Sequence, residues 1–416
     1  MHKFEIPAFS PQNLWRPFGL ILIFVLLLKV SSLFQPHLDN DEQVYIALSQ
    51  KILEGQDYNL QGTAILSALS PEIYDRPLFF HPPLYMMLAA PMIAVGGEHF
   101  AVIPSWIGHF LILIALFLFL KETVGETRWP IILLFTLMAA VDPLLTFASR
   151  KIWLDCLMAG LLSVSYYAFW KALQLEKVGN RYWMMAFSGF CMGLAMLTKI
   201  TAVLVLPALV PILWPLIRKK EFRTLFILAA FYGLPVIIVT MPWFLKVYSI
   251  TGCFFNTPKM NPELFASSPY LQFCCERPWH FYFKELLFLY PIPLLFLGVH
   301  FLRKNSPSLL SIGLLLGLIS IVCGYMGFSL INGGPYLMRY LTFAMLPLYL
   351  LGAFGCVHDD SNESCGHWRF GWSHPTGFLL LLLALIVNAM TSLFYIFNYE
   401  CISLYSLFEL LSSVNI

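Results

Sequence analysis

The chain has 416 residues, enough by length alone for two or three soluble domains. Hydrophobic residues make up 59% and charged residues 12%, about half the charged share of a soluble protein, so the main solvent must be lipid. Twenty-five basic residues against 23 acidic ones leave +2, which excludes a nucleic-acid partner. Disorder, collagen and a disulfide-rich scaffold are excluded by the same numbers. The nine cysteines include no CxxC pair, so no structural zinc site is expected.

Eleven apolar stretches are long enough, or nearly so, to cross ~30 Å of hydrocarbon at ~20 residues each. They lie near 17–35, 100–120, 129–147, 154–170, 182–198, 200–217, 224–245, 285–302, 308–328, 337–357 and 376–398. The expected fold is an all-α polytopic membrane protein, one transmembrane domain over 1–416 with no soluble C-terminal domain. The first stretch lacks a small-residue cleavage site and reads as a retained anchor. The run from Pro82 to Gly97 is apolar for only about 14 residues, which suits an interfacial or re-entrant segment.

Charge sets the expected orientation. With the N-terminus in the cytoplasm, one face collects fourteen basic residues in short connections, such as RKKEFR at 218–223. The opposite face has more loop sequence and only ten, which satisfies the positive-inside rule. A full crossing at Pro82–Gly97 would invert every later loop. Two sizeable segments then fall outside, 36–99 with interfacial helices and 246–284.

The first outer segment opens with HLDNDEQVYIALSQKILEGQDY. Val44, Ala47, Leu48 and Ile52 form a helical stripe, so an amphipathic helix on the membrane surface is expected, ending near Gly55. Asp41 and Glu42 fall in its first turn, where the helix dipole favours ionised carboxylates. A solvated N-terminal cap is the plain reading, and a reactive acid the other. Asp155, in SRKIWLDCLMAG, begins an apolar helix where an ionisable group costs about 2.5–3.5 kcal/mol. It calls either for an ion pair with Arg150 or Lys151 or for a polar cavity. His81, in RPLFFHPPLYMMLAAP, precedes two prolines that fix the backbone and can donate, accept or ligate.

In chain order the motifs are DE…Y…A, HPPLY, an outer SRxxxxD, LTKITAVLVLP, MPWF, RPWHFYF and a late Arg339-Tyr340 pair. The series resembles the GT-C membrane glycosyltransferases, in particular the group of protein O-mannosyltransferases and aminoarabinose transferases of lipid A. It runs from about Asp39 to Pro347. The resemblance implies an enzyme that uses a polyprenyl-phosphate sugar on the non-cytoplasmic side, and the short loops fit a bacterial inner membrane better than endoplasmic reticulum. It makes Asp41 the catalytic acid, with Glu42 beside it and Asp155 as the second-loop acid. His81 and Tyr85 of HPPLY, Arg150, Lys199, Arg339 and Tyr340 become substrate-binding candidates. Where the aminoarabinose transferases carry a lysine and a preceding acid, this chain has His81 and Phe80. That departure argues against a divalent metal at this point, and no cofactor is called for. Where the mannosyltransferases carry an arginine after HPPL, this chain has Val102 and Ile103.

Transfer from a phosphate donor needs a base for the acceptor hydroxyl, cations for the leaving phosphate, and an in-line arrangement of the two. Asp41 is the expected base, and Lys199, Arg339, Arg150 and His81 are the expected cations or donors. Asp155 and Glu42 would orient the acceptor or a basic residue. A single displacement inverts the anomeric carbon. The expected partners are the bilayer, the lipid-linked donor and a lipid, glycan or protein acceptor, without nucleic acid. The alternative is a transporter or flippase of a lipid-linked sugar, or a glycan ligase or polymerase. Ionisable residues gathered at one face favour chemistry over transport, with Lys29 inside the first span as the exception. Cys253, Cys274 and Cys275 share one outer segment, where a bridge or free thiols are both open.

Overall fold

The computed structural model describes residues 14–34, 40–68, 74–254, 277–302, 307–332, 337–357 and 375–397. Among them there are helices, 3-10 turns and loops but no strand. The fold is an all-α membrane bundle. Every one of the eleven apolar stretches contains helix. Among the described residues seven helices, rather than the eleven expected, meet the length and hydropathy of a crossing, and counting each of two bent pairs as one span brings the number to nine.

The first crossing is Trp15–Val30, extended by a 3-10 turn at Ser31–Phe34. Asn40–Leu53 follows and ends just before Gly55, whose φ of +69° suits a residue without a side chain. Its apolar stripe does not lie on lipid alone. Val44 and Leu48 are buried, as are Tyr45 and Ile46, and the helix packs on Leu84–Gly96. That second helix has 13 residues, about 20 Å at 1.5 Å per residue, too short to cross.

The centre is built by Ile103–Thr123, Leu154–Gln174 and Val178–Thr198. The first two touch backbone to backbone at Gly108 and Gly160. A Cβ on Gly108 would meet the carbonyl of Cys156, and one on Gly160 the carbonyl of Gly108. Small residues at such a crossing are how membrane helices approach closely, since lipid supplies no hydrophobic drive between them. The approach fixes the start of Leu154–Gln174, and with it Asp155.

Two expected crossings are broken. The stretch at 129–147 is two helices, Trp129–Ala140 and Pro143–Ser149, bent by 49°. Asp142 caps the second by accepting the Leu145 N–H at 2.7 Å, and Pro143 takes the first helical position. The stretch at 285–302 is Phe281–Leu289 and Pro291–Leu302, bent by 92°. The remaining helices are Leu209–Arg218, Phe222–Thr251, Leu309–Asn332, Met345–Cys356 and Pro375–Phe397. 3-10 segments at Ile200–Ala208 and Met338–Ala344 lead into two of them.

Lys29, the exception in the first crossing, is buried and donates to the Ser149 hydroxyl, which also lies 3.3 Å from His109 Nδ1. A lysine inside the bilayer is thus matched by protein polar groups rather than left in lipid. Asp142 is satisfied in the same manner. Besides its capping bond it accepts from the hydroxyls of Tyr349 at 2.6 Å and Tyr290 at 3.3 Å, and Asn388 donates to Tyr349 at 3.0 Å. These bonds tie the broken helix to three later segments. Asp39, most of 246–284, the polar stretch 358–370 and Cys274 and Cys275 lie outside the described residues, as does any bridge to Cys253.

Candidate active site

Five chain segments end or break at one level of the bundle, and each contributes a polar side chain there. Asp41 and Glu42 stand in the first turn of Asn40–Leu53. Trp153 is extended (φ −126°, ψ 140°) and precedes Leu154–Gln174, which places Asp155 in that helix's first turn. Lys199 is extended (φ −157°, ψ 127°) between Val178–Thr198 and Ile200–Ala208. Leu337 is extended too, its N–H held at 3.2 Å by the Tyr282 hydroxyl, and Arg339 follows in the 3-10 segment. His81 lies just before Leu84–Gly96.

These groups meet. Arg339 binds Asp41 through a charge-assisted hydrogen bond, and its Nε lies 3.7 Å from Asp155. Lys199 Nζ donates to Asp155 at 2.8 Å. Two carboxylates and two cations therefore form one neutral cluster from residues up to 298 positions apart. Asp155 is nearly sealed, at 3% side-chain exposure, whereas Asp41 keeps 29%. Aromatic faces floor the cluster. The Arg339 guanidinium lies 4.6 Å from the Trp153 ring, and Lys199 4.3 Å from the Tyr340 ring. Tyr340 stacks on Tyr325 at 4.5 Å, and the Tyr325 hydroxyl bonds Thr201 at 2.7 Å.

Electrostatics follow from this packing. Burial pushes the Asp41 carboxyl up, but Arg339, His81 and Lys199 together outweigh it and hold the pKa below the ordinary carboxylate value. His81 goes the other way. Burial, reinforced by Lys199, lowers its pKa to about 3, so the imidazole is neutral beside Asp41. For Lys199 burial outweighs Asp155 and lowers the ammonium pKa. Tyr45, next to Asp41, is raised by burial and by that carboxylate and stays a neutral hydroxyl.

Three of the residues singled out in the sequence stand behind the cluster instead of in it. Glu42 is fully buried, accepting from Lys151 Nζ at 3.0 Å and from the Ile152 N–H at 3.0 Å. It fastens Asn40–Leu53 to the loop that carries Trp153 and Asp155. Tyr85 is fully buried, its hydroxyl 2.7 Å from Ser105 and 3.1 Å from the Ala101 carbonyl, which leaves it no face for a substrate. Arg150 is buried at the end of Pro143–Ser149, within electrostatic range of Lys29 on the interior side. The ion pair weighed for Asp155 with Arg150 or Lys151 is not the one formed. Lys151 goes to Glu42, and Asp155 takes Lys199 and Arg339.

Trp153, Thr201, Tyr325 and Asp142 were missed by sequence reasoning. Asp142-Pro143 was legible as a helix start, but the aromatic floor carries no motif of its own. Among the described residues no three His, Cys, Asp or Glu side chains gather as a metal cage requires.

Apolar helices with a polar cluster at their breaks, and short helices inserted after the first crossing, form a polytopic membrane fold that has a counterpart among solved structures. The solved structure of ArnT from Cupriavidus metallidurans bound to undecaprenyl phosphate is similar to it, with a TM-score of 0.64 at 16% identity, over 91% of this chain and 64% of that one. The apo state of the same protein gives 0.63 at 16% identity, over 93% and 65%. The chain thus spans just under two thirds of the length of ArnT, and the likeness is one of fold. No family model and no curated protein matches the sequence.

Proposed function

We propose that this protein is an inverting glycosyltransferase that moves a sugar from a polyprenyl-phosphate donor to an acceptor hydroxyl at the outer face of a bacterial inner membrane. The observation that carries the reading is the convergence of Asp41, Asp155, Lys199 and Arg339 at one end of an ArnT-like bundle. Undecaprenyl phosphate bound to the ArnT structure supports a lipid of that class here.

Each group has a task the chemistry requires. The lipid tail stays in hydrocarbon between the later helices, while its phosphate reaches the level of the cluster. Arg339 and Lys199 supply fixed positive charge to the oxygen that departs with the phosphate, where negative charge grows in the transition state. Arg339 presents a planar fork to phosphate oxygens, and its stacking on Trp153 limits the freedom it must lose. Asp41, the more open carboxylate, takes the proton of the acceptor hydroxyl as that oxygen attacks the anomeric carbon. A low pKa does not disqualify it, because the hydroxyl becomes acidic only as the new bond forms. Asp155 anchors Lys199 and steadies Arg339, and neutral His81 offers a hydrogen bond without adding charge. Attack and departure on opposite faces of the sugar invert the anomeric configuration.

Asp41→Asn in the purified protein tests the assignment. Transfer from the lipid-linked donor should fall by about 10²-fold or more while donor binding persists. Undiminished transfer removes Asp41 as the base, and a product of retained configuration removes the single displacement.

A further inference from the structure

The cluster has no charge to spare. Lys199 and Arg339 are the cations needed by a leaving phosphate, yet each already touches a carboxylate of the protein itself. The two carboxylates are not equally replaceable. Asp155 is sealed at 3% exposure and holds Lys199 at 2.8 Å, with Arg339 Nε at 3.7 Å. Asp41 is 29% exposed, so of the two it is the carboxylate that water, and with it a ligand, can reach. A sugar phosphodiester carries one negative charge, as a carboxylate does, and offers oxygens to the same guanidinium fork.

We infer that the donor phosphate takes Arg339 away from Asp41, so that the catalytic base is masked until the donor is seated. The inference rests on the transferase reading above and adds its control. Arg339 is suited to the exchange. Its face rests on Trp153 at 4.6 Å, and Asp155 stays within reach behind it, so its fork can change partners with its charge still matched. Once the exchange is made, Asp41 has given up its ion pair with Arg339 and sits beside a phosphate. Both changes make it a stronger base at the moment an acceptor hydroxyl needs one. Without donor it remains paired and does not activate water.

The exchange makes a binding prediction opposite to that of a carboxylate that merely helps to hold the ligand. If Asp41 competes with phosphate for Arg339, removing it must tighten phosphate binding. The full chain, purified in detergent, is titrated with undecaprenyl phosphate at about pH 5, below the second ionisation of a phosphate monoester, so that the probe carries one negative charge as the donor's diester does. Asp41→Asn and Asp41→Ala should each bind about fivefold tighter than the parent protein, the factor by which a partly exposed ion pair reduces the competent fraction. Two variants are used so that misfolding of one leaves the other to decide. Glu54→Gln removes the same charge just beyond the far end of that helix and should leave binding unchanged. Unchanged or weaker binding by the Asp41 variants overturns the exchange, and so does equal tightening by Glu54→Gln, which would make the effect one of overall charge. Absence of binding by the parent protein would instead overturn the donor reading itself.

Discussion

Glu42 offers the sharpest test of what positions the site. Its carboxylate is fully buried and accepts from Lys151 Nζ and the Ile152 N–H, each at 3.0 Å. Glu42→Ala leaves a buried backbone donor without its acceptor, which costs about 1–3 kcal/mol. It also breaks the Lys151–Glu42 ion pair, and breaking a buried pair costs about 3–5 kcal/mol. The second figure must be discounted, because Lys151 keeps 12% exposure and a flexible stem that can turn toward water. A total loss of about 3–4 kcal/mol is expected for Glu42→Ala. Glu42→Gln keeps an oxygen for Ile152 and should lose about 2 kcal/mol, since only the charge is removed. The assay is thermal unfolding in detergent, with donor transfer measured on the folded fraction at low temperature. Glu42→Ala should melt earliest, Glu42→Gln between it and the parent, and Glu42→Gln should retain most of its turnover per folded molecule. Equal melting of all three would refute the positioning argument. Full stability with abolished turnover in Glu42→Gln would return Glu42 to the reacting groups.

Three further outcomes follow from the geometry. Gly108→Val should separate two central helices that meet backbone to backbone, abolishing the folded species on size exclusion, whereas Gly179→Val, where the space is open, should be tolerated. Arg339→Lys keeps the charge but loses the fork, so undecaprenyl phosphate should bind about tenfold more weakly, and equal affinity would make Arg339 a simple point charge. The folded pKa of His81, about 3, lies below its ordinary value of 6.5, so the unfolded chain binds the extra proton between those limits. Its contribution to stability is therefore present above about 6.5 and declines as pH falls toward 3; His81→Gln should flatten that decline in acid melting curves, and an imidazole resonance titrating near 6.5 would contradict it.

Much of the fold was legible because lipid imposes a simple rule on the sequence. Apolar runs of about 20 residues must be helices, since no other element satisfies its own backbone in hydrocarbon. Runs that are long enough but broken inside were harder. The stretch at 129–147 contains Asp142-Pro143, a helix-start signature, yet hydropathy averaged over the run hid a bend of 49°. Lys29 was visible as an anomaly but not as a solved one, because Ser149 lies 120 positions away. The interfacial helix shows a different limit. Its stripe at Val44 and Leu48 was read as facing lipid, but a stripe marks only what is hidden, not what hides it, and here Leu84–Gly96 does.

The acid pair shows most clearly what spacing withholds. Asp41 and Glu42 are adjacent and chemically alike, so sequence offered both as reactive groups. Successive helical residues point about 100° apart. One carboxylate therefore turns to Arg339, and the other to the loop at Lys151 and Ile152. The same 100° separates a half-open carboxylate from a sealed one, and nothing in the residue types announces which is which.

The position of the cluster has a physical cause beyond the individual pairs. Helix ends leave backbone donors and acceptors unsatisfied, and lipid cannot satisfy them, so breaks at membrane depth persist only where protein or a wet cavity surrounds them. Trp153, Lys199 and Leu337 are each extended residues at such breaks, and each adjoins or supplies a group of the cluster. Ionisable side chains obey the same restriction, since a lone charge there is costly and a matched set is not. Breaks and charges thus favour the same place. The neutrality that permits Asp41, Asp155, Lys199 and Arg339 to share it also means that any anion entering the cluster, such as the proposed donor phosphate, has to displace a carboxylate, and the more exposed one is the one with water to turn to.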